Sequence, residues 1–301
     1  MTEAEFIAAL RRMPLHPGAR HLVDDSAVID AGPLVVTTDT LVEGVHFLPD
    51  DPPGDVAWKL VATNLSDLAA KGALVEGVLL NYPLGESAWD HAFLDGLAAV
   101  LTRFDARLIG GDTVSTRGPR TLTLTAFGRD APAPSRDGAK AGDGLWVTGV
   151  IGDAGLGLKI AQAGHGPVAL RDAYRRPMPR LTEGRALGPV VHAMMDVSDG
   201  LLIDAARMAR ASGLAVTVAL DRIPLSTEAQ GFGGQDRPAR LTAATAGDDY
   251  ELLFALPPAG VPPVAATCIG CFAAGDGVTL TDAGEPIPLP PRWGYEHQPE
   301  G

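Results

Sequence analysis

A two-domain α/β (α+β) chain is what the sequence predicts, from three observations. Strand-like and helix-like segments alternate through the first half, a stretch rich in chain breakers closes that half at residues 130–144, and the second half resumes the alternation over a similar length. With 301 residues, 46% of them hydrophobic and 20% charged, the chain can fill two cores and lacks the composition of a disordered protein. The boundary is placed between residues 135 and 136. No internal repeat is visible in the sequence itself.

Residues 34–42 form a β-branched run that reads as a strand. Ala57, Leu60, Val61, Leu65, Leu68 and Ala69 then recur at helical spacing and predict a helix over residues 54–72, with Asn64, Asp67 and Lys71 sharing one face. A strand at 77–82 and a helix near 86–104 follow. Arg107 to Ile109 leads into Gly110-Gly111-Asp112-Thr113, and residues 121–127 alternate as another strand. In the second half the expected strands are 145–148, 215–220 and 250–256. Helices are expected after Gly152 and over 199–212, where Gly213 is the stop signal. Between them Arg175-Arg176-Pro177-Met178-Pro179-Arg180 interrupts the periodicity.

A net charge of −13 argues against general affinity for nucleic acid or anionic membranes. No apolar run approaches the roughly 18 to 20 residues of a membrane span, and the start lacks the layout of a signal peptide, so a cytoplasmic location is expected. Cys268 and Cys271 have a C-x-x-C spacing, but tetrahedral zinc needs two more ligands and no second pair exists; the simpler reading is two small residues around a turn at Gly270.

Aspartates recur in short segments bracketed by glycine, serine or threonine: Asp24-Asp25, Thr37-Thr38-Asp39, Asn64-Leu65-Ser66-Asp67, Gly110-Gly111-Asp112-Thr113, Asp196-Val197-Ser198-Asp199-Gly200 and Gly247-Asp248-Asp249. Carboxylates gathered at one place need compensating cations, and the natural occupant is Mg²⁺ with a polyphosphate. The P-loop, Rossmann and protein-kinase fingerprints are absent, so ATP would be held by another architecture. Each segment also has a plainer reading. Gly110-Gly111-Asp112-Thr113 is either a phosphate-approaching loop or a tight turn; Ser198 or Asp199 is either part of a site or a helix N-cap. Asp67 is either a ligand or the partner of Lys71, His46 a ligand or a packed histidine, Arg136 a phosphate clamp or a solvated charge, and Tyr295 a functional aromatic or an anchor for the tail.

In their order along the chain, these segments resemble one family. Asp24-Asp25-Ser26-Ala27-Val28, Thr37 through Phe47, Asn64 through Ala70, Ile109 through Thr113, Gly142-Asp143 with Val147-Thr148-Gly149, Arg176-Pro177 with Pro179-Arg180, Met195 through Leu201, Gly247 through Leu252 and Gly294-Tyr295 together make the chain similar to the thiamine-monophosphate kinase family of the PurM-like (aminoimidazole-ribonucleotide synthetase) superfamily, over nearly its full length. The resemblance implies a two-domain PurM-like architecture: an N-terminal mixed sheet with helices that forms the core of a homodimer, and a C-terminal α/β domain completing the site. It implies ATP-dependent phosphorylation of thiamine monophosphate to thiamine diphosphate. The metal ligands it implies are Asp25, Thr37, Thr38, Asp39, Asp67, Asp112, Asp196 and Asp199. It puts Gly111, Asp112, Arg136 and Ser198 on ATP, and His46, Asp248 and Tyr295 on the thiamine phosphate. It leaves Asp24 and Asp249 without a role, and because the acceptor it implies is already an ionised phosphate, direct transfer with no covalent nucleophile and no strong general base is expected.

Three departures stand out. Asp248 replaces the usual glutamate before Asp-Tyr-Glu-Leu, His21-Leu22-Val23 replaces Gly-Ile-Gly, and Lys71 replaces an apolar residue. Two other functions stay open at this stage: another PurM-like ATP-dependent synthetase, or a catalytically silent nucleotide- or metal-binding protein on the same fold. Selenophosphate synthesis is disfavoured, because no cysteine precedes Cys268.

Overall fold

The structure, a computed structural model, describes residues 2–22, 27, 29–30, 32–115 and 117–296. It divides into two compact units, residues 1–68 with 73–131, and residues 69–72 with 132–301.

The first unit contains helix α1 (Glu3–Leu10), strand β1 (Leu34–Val42), helix α2 (Pro53–Ala69, whose last residue groups with the second unit), β2 (Leu74–Leu84), α3 (Ser87–Arg103), β3 (Leu108–Ser115) and β4 (Thr121–Arg129). Its four-stranded sheet has the order β1-β4-β2-β3, with β2 and β3 parallel and the other pairs antiparallel. α2 forms where the periodicity predicts: Ala57, Leu60, Val61, Leu65 and Leu68 are all fully buried. It stops at Ala69, so Lys71 lies in the following turn and not on the helical face with Asn64 and Asp67. Gly110-Gly111-Asp112-Thr113 is likewise no loop, for it is the middle of β3. Gly111 is required there by close approach, since a Cβ would sit 1.8 Å from the carbonyl oxygen of Leu80 on β2.

The second unit runs β5 (Gly144–Thr148), α4 (Asp153–Ala163), α5 (Val168–Arg175), α6 (Leu181–Leu187), β6 (Ala193–Asp196), α7 (Leu201–Ala211), β7 (Leu214–Ala219), α8 (Thr227–Gly233), α9 (Arg237–Thr245), β8 (Leu252–Leu256), β9 (Ala266–Ala274), β10 (Val278–Asp282) and β11 (Glu285–Ile287). Its seven-stranded sheet has the order β11-β10-β7-β9-β5-β8-β6, in which only β7 and β10 pair in parallel. β8 reads as an unbroken apolar run because both its faces are covered. Leu253 and Ala255 enter a core with Leu201, Leu202 and Met208 of α7, while Leu252, Phe254 and Leu256 enter a second one with Leu187 and Ala69. Cys268 and Cys271 sit inside β9 and not at a turn, and among the described residues they join no metal-binding group.

Candidate active site

In the first unit the alternation of β1 turns Thr37 and Asp39 toward one face and Thr38 toward the other. On the first face the Thr37 hydroxyl donates to the Asp67 carboxylate of α2, and the Asp39 amide donates to Asn64 Oδ1 at 3.1 Å. Asn64 is itself fully buried and fixed by its amide nitrogen on Leu60 O at 2.9 Å. One strand and one helix face therefore present Thr37, Asp39 and Asp67 as a set of hard oxygen donors, the chemistry that suits Mg²⁺. Thr38 is not brought into this set: its hydroxyl donates to Leu124 O at 3.1 Å and accepts from Thr125.

Asp112 is also placed elsewhere. Residues paired across strands share a face, so the register groups Asp112 with Asn81, Thr123 and Thr40, on the side opposite to Asp39. β1 and β3 are the two edges of the sheet. Three strand spacings separate them, about 14 Å along the sheet, and Mg–O bonds are only about 2.1 Å. Within one chain Asp39 and Asp112 thus do not meet on a single cation. Asp24 and Asp25 lie outside the described residues.

His46 occupies the tight turn after β1. Its Nδ1 accepts from the Val42 amide at 3.0 Å, which assigns the neutral ring's proton to Nε2 and makes that nitrogen a donor. Its carbonyl accepts from the Nζ of Lys59 at 3.0 Å. Lys59 is only 2% exposed, and no local pattern signals this burial, because a lysine on an amphipathic helix ordinarily reads as solvated.

In the second unit β6 ends at Asp196, and the chain turns through Val197-Ser198-Asp199-Gly200 into α7. Two other motif segments are laced to this turn through the backbone. The Asp248 amide donates to Ser198 O, the Tyr250 amide to Val197 O and the Tyr295 amide to Asp199 O, each at 2.8 Å. The pairing holds Asp248 and Tyr250 at φ values of 69° and 51°, conformations that side chains other than glycine seldom adopt. Ser198, Asp199, Asp248 and Tyr295 are gathered in this way, with the buried Asp196 at the strand end. Arg136 stands at the far end of α7, where its carbonyl accepts from Ser212 at 3.3 Å. An eleven-residue helix separates it from Ser198 by about 16 Å.

The turn depends on a residue that sequence reading missed. Asp204, fully buried, accepts from the amides of Ser198, Asp199 and Gly200 at 3.2, 3.1 and 3.2 Å. Arg207 donates both to Asp204 Oδ1 and to the Asp199 carboxylate. Burial raises the Asp204 carboxyl above its ordinary range, against the pull of Arg207. Asp199, expected as a metal ligand, is thereby already paired to a guanidinium. Asp249, previously without a role, takes the Gly152 amide on both oxygens at 3.0 and 2.9 Å and fixes the start of α4; burial pushes its carboxyl well up.

Beside this turn lies an ion pair with a buried carboxylate and a half-buried guanidinium. Glu251, 5% exposed, accepts from Thr148 Oγ1 at 2.7 Å and from Arg180 in a two-pronged contact whose Nε arm is 2.7 Å. The segments Val147-Thr148-Gly149, Pro179-Arg180 and Tyr250-Glu251-Leu252 are thus joined at one structural node.

Among the described residues no three His, Cys, Asp or Glu side chains gather as a metal-binding group. Of the candidate carboxylate ligands, Asp39 and Asp67 belong to the β1–α2 set and Asp196 and Asp199 to the turn before α7, each a set of oxygen donors suited to Mg²⁺, while Asp112 stands outside the first set.

Residues 23–129 match the family AIR synthase related protein, N-terminal domain, and residues 140–282 match AIR synthase related protein, C-terminal domain. The chain is 41% identical to the thiamine-monophosphate kinase of Caulobacter vibrioides, over 98% of this chain and 91% of that one. The crystal structure of thiamine-monophosphate kinase from Stenotrophomonas maltophilia superposes with a TM-score of 0.80 at 38% identity, covering 94% of this chain and 96% of that one. A structure described as AaThiL complexed with AMPPCP and TMP also aligns with a TM-score of 0.80, at 29% identity over 91% of each chain. With its fold, its ordered aspartate segments and these similarities in agreement, the chain belongs to the thiamine-monophosphate kinase family.

Proposed function

We propose that the protein transfers the γ-phosphoryl group of ATP directly to the phosphate of thiamine monophosphate, giving thiamine diphosphate and ADP, as a Mg²⁺-dependent cytoplasmic homodimer. The observation that carries this reading is the 41% identity to a thiamine-monophosphate kinase over 98% of the chain. The acceptor is already an ionised phosphate, so no strong general base is required. The obstacle is repulsion between two polyanions. Bound Mg²⁺ would neutralise the phosphates, and Asp39, Asp67, Asp196 and Asp199, with Thr37, Thr38, Asp112 and Asp25, are the residues assigned to hold it. Gly111, Asp112, Arg136 and Ser198 are assigned to ATP. In keeping with a soluble enzyme, no helix among the described residues is long and apolar enough to cross a membrane.

On the acceptor side, His46 donates through Nε2, Asp248 accepts from the aminopyrimidine and Tyr295, 45% exposed, packs against a ring. Tyr295→Ala is expected to raise the KM for thiamine monophosphate about tenfold or more, with a smaller change in kcat. An unchanged KM makes the tail a structural element only. Lys59→Met removes the support of the His46 carbonyl and is expected to raise the same KM by roughly tenfold, about 1.4 kcal/mol of lost positioning. A fall in kcat with KM unmoved would contradict a role in holding the acceptor contact.

The deciding experiment is a coupled ADP assay with thiamine monophosphate, thiamine and water as acceptors, with and without Mg²⁺. ADP release that requires both thiamine monophosphate and Mg²⁺ is expected. Release to water alone would overturn the assignment, and a phosphoprotein trapped on the path would overturn direct transfer.

A further inference from the structure

The C-x-x-C segment of β9 lies outside the site described above, and Cys268 and Cys271 are the only cysteines of the chain. In a regular strand, residues three apart point to opposite faces. β9 departs from this rule. Where it pairs with β5 the register shifts, so that Gly270 stands opposite Leu145, Cys268 opposite Trp146, and Ile269 is an extra residue between them. Burial follows the bulge: Ile269 and Phe272, also three apart, both enter the core that holds Leu145 and Val147. Cys268 and Cys271 therefore share the other face, opposite Trp146 and Gly144, with Cys271 exposed and Cys268 partly so.

Two distances show Cys268 leaning along the strand toward its companion. Its Sγ donates weakly to Gly270 O at 3.6 Å, and it lies 3.7 Å from where a Cβ would stand on Gly144, the cross-strand partner of Cys271. Gly144 and Trp146 are two residues apart on β5, so the Cα atoms of the cysteines opposite them are separated by about 7 Å. That is too far for a disulfide, whose Cβ atoms come within about 4.5 Å of each other. It suits two sulfurs joined through a third atom. Two metal–thiolate bonds of about 2.3 Å in line span about 4.6 Å, and inward-leaning side chains cover the rest.

We propose that Cys268 and Cys271 form a two-coordinate site for a soft monovalent cation of the Cu(I) type. Thiolates select soft cations, and a monovalent ion with a filled d shell accepts two ligands in line. Zinc demands four, and among the described residues no third His, Cys, Asp or Glu side chain joins the pair. Binding replaces two S–H bonds by two metal–sulfur bonds and releases both protons to solvent, with no change of oxidation state. Neither cysteine is among the residues assigned to ATP, Mg²⁺ or thiamine monophosphate, so the site does not rest on the proposed function.

The test is anaerobic titration of the reduced full-length protein with Cu(I), in competition with a chromogenic Cu(I) chelator. Wild type is compared with Cys268→Ser, Cys271→Ser and the double variant, which has no thiol at all; serine keeps the shape of the side chain, and circular dichroism checks the fold. The expected result is one Cu(I) per chain in wild type, with affinity lowered about a hundredfold or more in each single variant and no further in the double. X-ray absorption of the loaded protein is expected to show two sulfur neighbours. Wild-type affinity in either single variant overturns the pair. One Cu(I) per two chains, abolished by Cys271→Ser but not by Cys268→Ser, means that the exposed thiols bridge separate molecules, and it also overturns the site. So does an intramolecular disulfide formed on mild oxidation and seen as the loss of two hydrogens by mass, because it requires the side chains to be closer than a bridging ion allows.

Discussion

Replacing Asp67 by asparagine is expected to lower kcat by about three orders of magnitude, equivalent to roughly 4 kcal/mol of transition-state stabilisation, while the fold persists. Asp67 is the point where α2 meets β1, its carboxylate accepting from Thr37 on the face that also carries Asp39. Asparagine fills the same space and still accepts that hydroxyl through its amide oxygen, so packing is preserved. What it removes is the negative charge and the second hard oxygen, the two properties a Mg²⁺ ligand supplies. The measurement is kcat at saturating ATP over a Mg²⁺ titration, alongside thermal unfolding. Turnover within about threefold of wild type would remove Asp67 from the metal set. If kcat falls only because the melting temperature has collapsed, its role is structural.

Replacing Glu251 by alanine acts on stability. Its carboxylate is 5% exposed and holds Arg180 and Thr148, whose hydroxyl in turn accepts from the Leu252 amide at 2.8 Å. Truncation leaves a half-buried guanidinium, 31% exposed, with the Glu183 carboxylate at 3.7 Å as its remaining partner, so the cost lies at the low end of that for a buried pair, about 3 kcal/mol. For a chain of this size that corresponds to a fall in melting temperature of about 10 °C, readable by calorimetry. Arg180→Ala should cost a similar amount, and the double variant less than the sum of the two. Additive losses would mean that the two side chains act independently.

The strongest local patterns were legible in the sequence. α2 and β1 appear where their periodicities predict them, and the Asp196 and Gly247 segments, far apart in sequence, meet beside the tail residue Tyr295. The losses have physical causes. Two glycines in succession ordinarily break a strand, so Gly110-Gly111-Asp112-Thr113 reads as a loop or turn, whereas Gly111 is demanded by the closeness of β2. The face on which Asp112 stands depends on the order β1-β4-β2-β3, a non-local pairing that no window of sequence contains. Asp204 in the first turn of a helix reads as an ordinary complement to the helix dipole, and its buried contacts appear only once the preceding turn is folded over it. Lys59 escaped notice for the same reason: burial of a charged side chain follows from the fold around it.

The grip of Asp204 on three successive amides sets the polarity of the turn that precedes α7. In a phosphate-cradling loop the amide hydrogens point outward at the anion. Here they point inward at a carboxylate, and the carbonyls of Val197, Ser198 and Asp199 are taken by the amides of Tyr250, Asp248 and Tyr295. The main chain is thus spent on its own scaffold, and the oxygens of Ser198 and Asp199 are what the turn can offer to a ligand. It is a phosphate loop turned inside out, and under the proposed function it would meet a nucleotide by way of its counter-cation and not by way of its bare phosphates.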